Sequence, residues 1–190
     1  MYEGVDTIVL FEELAYEEAL PVRWLAYADP VPEALRRSFN DRNLKQLQTC
    51  VLLDEHIQVD KPDERSPYHA DIIRLDMKVN LLLDLVAHLL SSSHPLPQSL
   101  PIRFNALGAV WRDPALAPAS GSMGVLEINL RSCFLEPLRF SGQLISVSTD
   151  GQVKVKFDNP GEAIADLIEK IAFRRHRRHV AVARSTGREG

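Results

Sequence analysis

The sequence predicts an α+β protein: a small six-stranded β-barrel interrupted by long inserted helices and completed by a C-terminal helix. Three observations predict it. Apolar residues keep a strict heptad spacing from Ile72 to Leu89, the chain then changes from helical to strand-like period, and a fully punctuated helix follows the last strand.

In chain order, Thr7 to Phe11 (TIVLF) is β-branched and apolar, and Pro21 to Tyr27 (PVRWLAY) alternates loosely, so both read as strands. The stretch ADPVPE punctuates the chain, and Pro32 suits the first position of a helix reaching about Leu53. Ala34, Leu35, Leu44, Leu47 and Val51 give that helix an incomplete stripe, which Asn40 and Asp41 threaten to break. The polar loop DEHIQVDKPDER follows. Ser66-Pro67 then supplies an N-cap and first turn for a second helix.

In this second helix Ile72, Leu75, Val79, Leu82, Val86 and Leu89 alternate spacings of three and four, the a/d register of a coiled coil. One alternative is a single amphipathic helix packed on its own barrel or on the preceding helix. The strict register favours association, as do Leu85 at g and Leu83 and Leu90 at e, which widen the stripe. The pattern alone leaves open how many helices join and in which direction they run. Composition makes SSSHPLPQSLP a connector.

The remaining strands are Leu100 to Trp111, with Gly108 read as a bulge or a point of close approach, and Gly124 to Arg131, with Leu126, Ile128 and Leu130 inward and Glu127, Asn129 and Arg131 outward. Leu138 to Thr149 and Gln152 to Phe157 flank the hairpin signal Asp150-Gly151, with Val153, Val155 and Phe157 inward and Lys154 and Lys156 in water. Asn159 caps the final helix, Pro160 opens it, and Glu162 takes a capping-box position. Ile164, Leu167, Ile168 and Ile171 form its buried stripe. FRRHRRHVAVAR then opens a tail that frays into STGREG.

Composition narrows the function. Hydrophobic residues make up 45% and charged residues 25%, enough for a sizeable core, while a formal charge of −4 argues against nucleic acid as the main partner. The N-terminus lacks a basic leader. The most apolar window, Leu81 to Leu90, contains Asp84 and His88 and falls short of the roughly 20 residues of a bilayer span. Cys50 and Cys133 have no metal-type spacing and read as buried apolar residues in a reducing, cytoplasmic protein.

Catalytic and metal motifs are missing. No histidine has a convincing metal partner, no glycine-rich phosphate loop occurs, and neither cysteine has a histidine nearby, so a non-enzyme is expected. The cluster Arg174, Arg175, Arg177 and Arg178 could contact an anion through guanidinium forks. Its simpler reading is a helix C-terminus that complements the dipole and rests on acidic groups of its own protein.

The assembled order (short strands, helical insert, further strands with a D-G hairpin, a V-x-V-x-F strand, a capped helix) resembles the PilZ domain family of bacterial six-stranded barrels. FNALGAVW is similar to that family's turn-glycine-strand segment, and VKVKFDNP to its late V-x-F strand. The heptad insert and FRRHRRHVA are similar to the divergent, tetrameric PilZ proteins of xanthomonad-like bacteria. The resemblance implies a PilZ-like barrel over residues 1–30 and 96–190, a helical insert over 31–95, and a homotetramer through the heptad helix. It also implies an unidentified signalling protein as partner in cyclic di-GMP-linked signalling.

The ligand motif departs from the family's. Ligand-binding PilZ domains carry R-x-x-x-R ahead of their first strand and a [DN]-x-S-x-x-G turn. Neither MYEGVD nor SHPLPQS contains an arginine, and Arg103 and Asn105 stand where the turn has its acidic or amide residue and its serine, leaving Gly108 in agreement. Charge-assisted hydrogen bonds contribute roughly 1.5–3 kcal/mol each, so losing the arginine pair removes the basis of tight binding. The expectation is therefore an oligomeric scaffold without a cofactor. The alternative is a cyclic di-GMP receptor that recruits the C-terminal arginines.

Overall fold

The structure is a computed structural model and describes residues 14–56, 68–93, 96–113, 120–131, 134 and 136–186. The elements are β1 (Tyr16–Tyr27), α1 (Glu33–His56), α2 (His69–Ser93), β2 (Ser99–Phe104), β3 (Gly108–Arg112), β4 (Met123–Ile128), β5 (Leu138–Val147), β6 (Gln152–Phe157) and α3 (Glu162–Thr186). The strands form a closed antiparallel barrel in the order β1-β2-β3-β6-β5-β4.

Closure depends on β1, whose two halves pair with different neighbours. Tyr16–Pro21 runs against Ser99–Phe104 of β2, and Val22–Tyr27 runs against Met123–Ile128 of β4. Pro21 sits at the changeover, where its missing N–H costs least, and its carbonyl accepts the Asn129 N–H at 3.0 Å. Six strands are present among the described residues, as the expected barrel requires, because Leu100–Trp111, read as one strand, is a hairpin of β2 and β3. The expected strand Thr7–Phe11 lies outside the described residues.

Asn105 causes that break. Its Oδ1 accepts the N–H groups of Leu107 and Gly108 at 2.9 and 3.2 Å, an Asx turn that reverses the chain. Gly108 thus opens β3 as a paired residue opposite Lys156 and is not a bulge. The hairpin at Asp150-Gly151 forms as expected, with Gly151 at φ +79°. Val153, Val155 and Phe157 are buried, and Phe157 stacks on Phe140 with ring centroids 4.6 Å apart.

α1 continues unbroken through Asn40 and Asp41, because packing outweighs their weak propensity. Its buried face is Phe39, Asn43, Leu47, Cys50 and Val51, while Leu35 is exposed. Asn43 exchanges two hydrogen bonds with the Arg139 backbone of β5: Nδ2 donates to the carbonyl at 2.8 Å, and Oδ1 accepts the N–H at 2.9 Å. α3 buries Ile164, Ile168, Ile171 and Ala172 in the same core as Leu47, Cys50 and the barrel residues. Asn159 is not its cap: the Gly161 carbonyl accepts the first intrahelical bond, from the Ala165 N–H at 3.1 Å, and Gly161 stands at φ +92°. Asn159 Oδ1 accepts the Gly161 N–H at 2.9 Å in an Asx turn just ahead of the helix, so Pro160 precedes the first turn and Glu162 opens it outside the expected capping-box position. The basic run does not open a frayed tail; it stays helical to Thr186.

The orientation of β4 agrees with the sequence reading, but its outward-facing residues Glu127 and Asn129 are not in water. Glu127 and Asn129 point away from the barrel axis, as alternation requires, yet both are buried. The outer face of β4 is covered: Val31 and Phe39, at the start of the α1 segment, pack on Val125. Glu127 is therefore dry and needs partners. Arg23 Nη2 donates to it at 2.6 Å and Arg139 Nε at 2.9 Å. Burial pushes the Glu127 carboxyl up, but the hydrogen bonds from Arg139 and Arg23 and their charges outweigh it and hold it below the ordinary range.

Candidate functional site

Three regions carry the residues that the sequence singles out: α2, the β2–β3 turn, and the basic end of α3. On α2 the six heptad residues Ile72, Leu75, Val79, Leu82, Val86 and Leu89 are all solvent-facing, with relative exposures from 44% to 66%. Ile73, Met77, Leu81 and Leu85 are exposed as well, so the apolar surface covers much of the helix circumference. A helix that is apolar on most sides is ordinarily the interior of a bundle. Among the described residues α2 has no substantial packing on the barrel or the other helices, whereas α1 packs on β5 and α3, and α3 packs on β1. The N-cap residues Ser66 and Pro67 lie outside the described residues, as does Cys133.

At the β2–β3 turn, Asn105 is buried and spends its carbonyl oxygen on its own turn. Arg103 Nε lies 3.1 Å from Glu17 Oε1 across the β1–β2 pair. Both side chains at the positions compared with the PilZ turn motif are thus engaged by neighbouring groups of the chain. Beside the turn lies a largely apolar cavity of about 600 Å³, walled by Leu107, Ile145, Phe157, Pro160 and Ala165.

At the end of α3, Arg174 Nη1 donates to the Val51 carbonyl at 2.9 Å and so ties the helix to α1. Arg175 Nη2 is paired with Glu18 Oε1 on β1. Arg177 lies over the Phe173 ring, 5.9 Å from its centroid, at an exposed position. The side chain of Arg178 lies outside the described residues. The structure does not gather these arginines at one point: they leave the helix towards α1, towards β1 and along its own surface.

Two features were missed in the sequence reading. One is the buried Glu127 with Arg23 and Arg139. The other is Glu18, whose Oε2 accepts the Tyr16 hydroxyl at 2.5 Å while its Oε1 holds Arg175. The alternation of β1 could have placed Tyr16 and Glu18 on one face, but no sequence signal puts α3 beside that face. Among the described residues no group of histidines, cysteines and carboxylates could hold a metal ion, and no helix is long and apolar enough to cross a membrane.

No curated protein matches the sequence. Among solved structures, the chain is similar to a pathogenic protein from Xanthomonas campestris, a tetrameric PilZ domain that self-assembles through an unusual helical bundle. The TM-score is 0.67 at 22% identity, covering 90% of this chain and 92% of the other, a likeness of fold. Residues 47–185 match the family described as atypical PilZ domain, cyclic di-GMP receptor. That match takes in α2, five of the six barrel strands and nearly all of α3, so the chain belongs to the atypical PilZ domain family.

Proposed function

We propose that the chain is a non-enzymatic, self-associating adaptor that works in the cytoplasm, in cyclic di-GMP-linked signalling, through protein–protein contacts. In this reading residues 31–95 form the assembly insert, and residues 1–30 and 96–190 form the barrel that it presents. The observation that carries it is the exposure of the entire a/d seam of α2. Burying one Leu, Ile or Val side chain contributes about 1.5–3 kcal/mol, so leaving six of them in water on one helix is costly enough to drive association. The bundle of the Xanthomonas campestris protein supports a homotetramer as the assembled form.

Replacing Leu82 and Val86 with Asp puts charge on one d and one a position, and the oligomer should fall to the 21.4-kDa monomer. Light scattering on wild type and variant reads the mass directly. A variant with the wild-type mass would sink the seam.

The same reading expects no tight cyclic di-GMP binding by the family's usual arginine pair. No arginine precedes β1, and Arg103 of the turn already lies against Glu17. Calorimetric titration to about 100 μM, which reaches affinities near −5.5 kcal/mol, should show no saturable heat. A saturable signal would favour the receptor reading instead.

A further inference from the structure

The contact between β1 and α3 is built in a way that a purely structural ion pair does not require. Glu18 divides its two oxygens: Oε1 goes to Arg175 Nη2, and Oε2 takes the Tyr16 hydroxyl at 2.5 Å. A guanidinium ordinarily offers Nε and Nη2 side by side as a fork for both oxygens of one carboxylate or phosphate. Here half of that fork is filled. Arg175 Nε is buried and has no hydrogen-bond partner, while the second Glu18 oxygen points to the Tyr16 hydroxyl. Burying such a donor unmet is unfavourable.

The surroundings are positive. Arg131 and Arg175 both act on the Tyr16 hydroxyl as favourable charges, although burial, with Glu18, drives its pKa upward overall. Tyr16 therefore stays a neutral hydroxyl and a donor. It is fixed by packing, with its ring centroid 5.3 Å from that of Phe104. The seat thus offers a half-open guanidinium fork and a fixed hydroxyl donor, both of which suit an oxyanion. Its side chains are also reachable, with Arg175 30% and Glu18 29% exposed.

We infer that Tyr16 and Arg175 form an anion seat for a small phosphate-bearing group, with Glu18 acting as an internal stand-in that keeps it closed. A phosphate oxygen pair fills both Nε and Nη2 of Arg175 and accepts the Tyr16 hydroxyl once Glu18 swings away. Glu18 is a competitor in this scheme, so removing its charge has the opposite effect to removing Arg175. The inference is independent of the α2 seam and makes no use of the oligomeric state.

The test is a set of calorimetric titrations with inorganic pyrophosphate and, separately, adenosine monophosphate, at matched ionic strength. Wild type should bind weakly. Glu18→Gln should bind about tenfold tighter or more, the scale expected when one competing charge-assisted hydrogen bond is removed. Adding Arg175→Gln to Glu18→Gln should abolish the gain. Tyr16→Phe, which keeps the core volume, removes the hydroxyl donor to the bound anion and should weaken binding. The two arms separate free pyrophosphate from a phosphate ester: whichever shows the Glu18-dependent gain is the class that the seat accepts. Equal affinities for wild type and Glu18→Gln, binding that survives Arg175→Gln, or no binding to any folded variant would each overturn the inference and leave the pair a structural clasp.

Discussion

Glu127 shows how a single charged side chain can sit on the dry side of a strand. Its two guanidinium partners differ: the Arg139 side chain is 25% exposed and that of Arg23 is 57% exposed. Removing one member of a fully buried pair typically costs about 3–5 kcal/mol, and the solvent access of Arg23 lowers that figure, so Glu127→Gln should lose about 2 kcal/mol. Its pH dependence has a definite sign. The folded carboxyl titrates below the unfolded one, so its contribution is complete above about pH 4.3 and is lost as pH falls through the folded pKa. Denaturation of wild type should therefore show a stability loss below about pH 4.3 that is smaller in Glu127→Gln. Equal acid limbs for the two proteins would count against the assignment. The sequence could not reveal this residue, because alternation reports which face a side chain takes and says nothing of what later covers that face.

At the scale of elements, legibility followed the range of the forces involved. The Asp150-Gly151 hairpin and the α3 stripe were readable because their determinants lie within a few residues. The α3 cap instead lies two residues later than the sequence suggests, because the positive φ of Gly161 leaves no mark in the sequence. Asn159→Ala removes the Asx-turn hydrogen bond that leads into α3 and should destabilise the fold by about 1 kcal/mol, measured by chemical denaturation. An unchanged midpoint would mean that the turn forms without that bond. The β2–β3 hairpin was hidden for the converse reason. Apolar residues flank Asn105 on both sides, and its turn-forming role depends on one side-chain oxygen meeting two backbone N–H groups. The unbroken α1 was hidden too, since the bonds from Asn43 to β5 span 96 positions of sequence. As for the candidate sites, the heptad spacing lies in the sequence itself and the fold adds that those residues are exposed, whereas the destinations of Arg174 and Arg175 required the fold.

For the whole molecule, the barrel with α1 and α3 forms one continuous core, and α2 stands apart from it as an apolar surface. If that surface is closed by other copies, folding and association are linked by mass action, and the melting temperature should rise with protein concentration. Scanning calorimetry over a hundredfold range of dilution reads this. A melting temperature independent of concentration would argue for a self-contained monomer. The number of strands and the order of helices and barrel were foreseeable from the change of period along the chain. The closure through a divided β1 was not, because one long strand with two partners reads locally like an ordinary alternating segment.

That divided strand also bears on the order of events during synthesis. β1 is made first, yet its partners Ser99–Phe104 and Met123–Ile128 lie some 80 to 100 positions later. Every ladder hydrogen bond of β1 must wait until α1 and α2 have left the ribosome. α2 needs only local contacts to become helical, whereas closing the barrel spans the longest loops in the protein. The heptad helix is thus complete while the barrel is still open. Under the proposed assembly, neighbouring chains on one message can therefore meet through α2 before any of them has a finished fold, which would let translation as well as later encounter in solution set the oligomer.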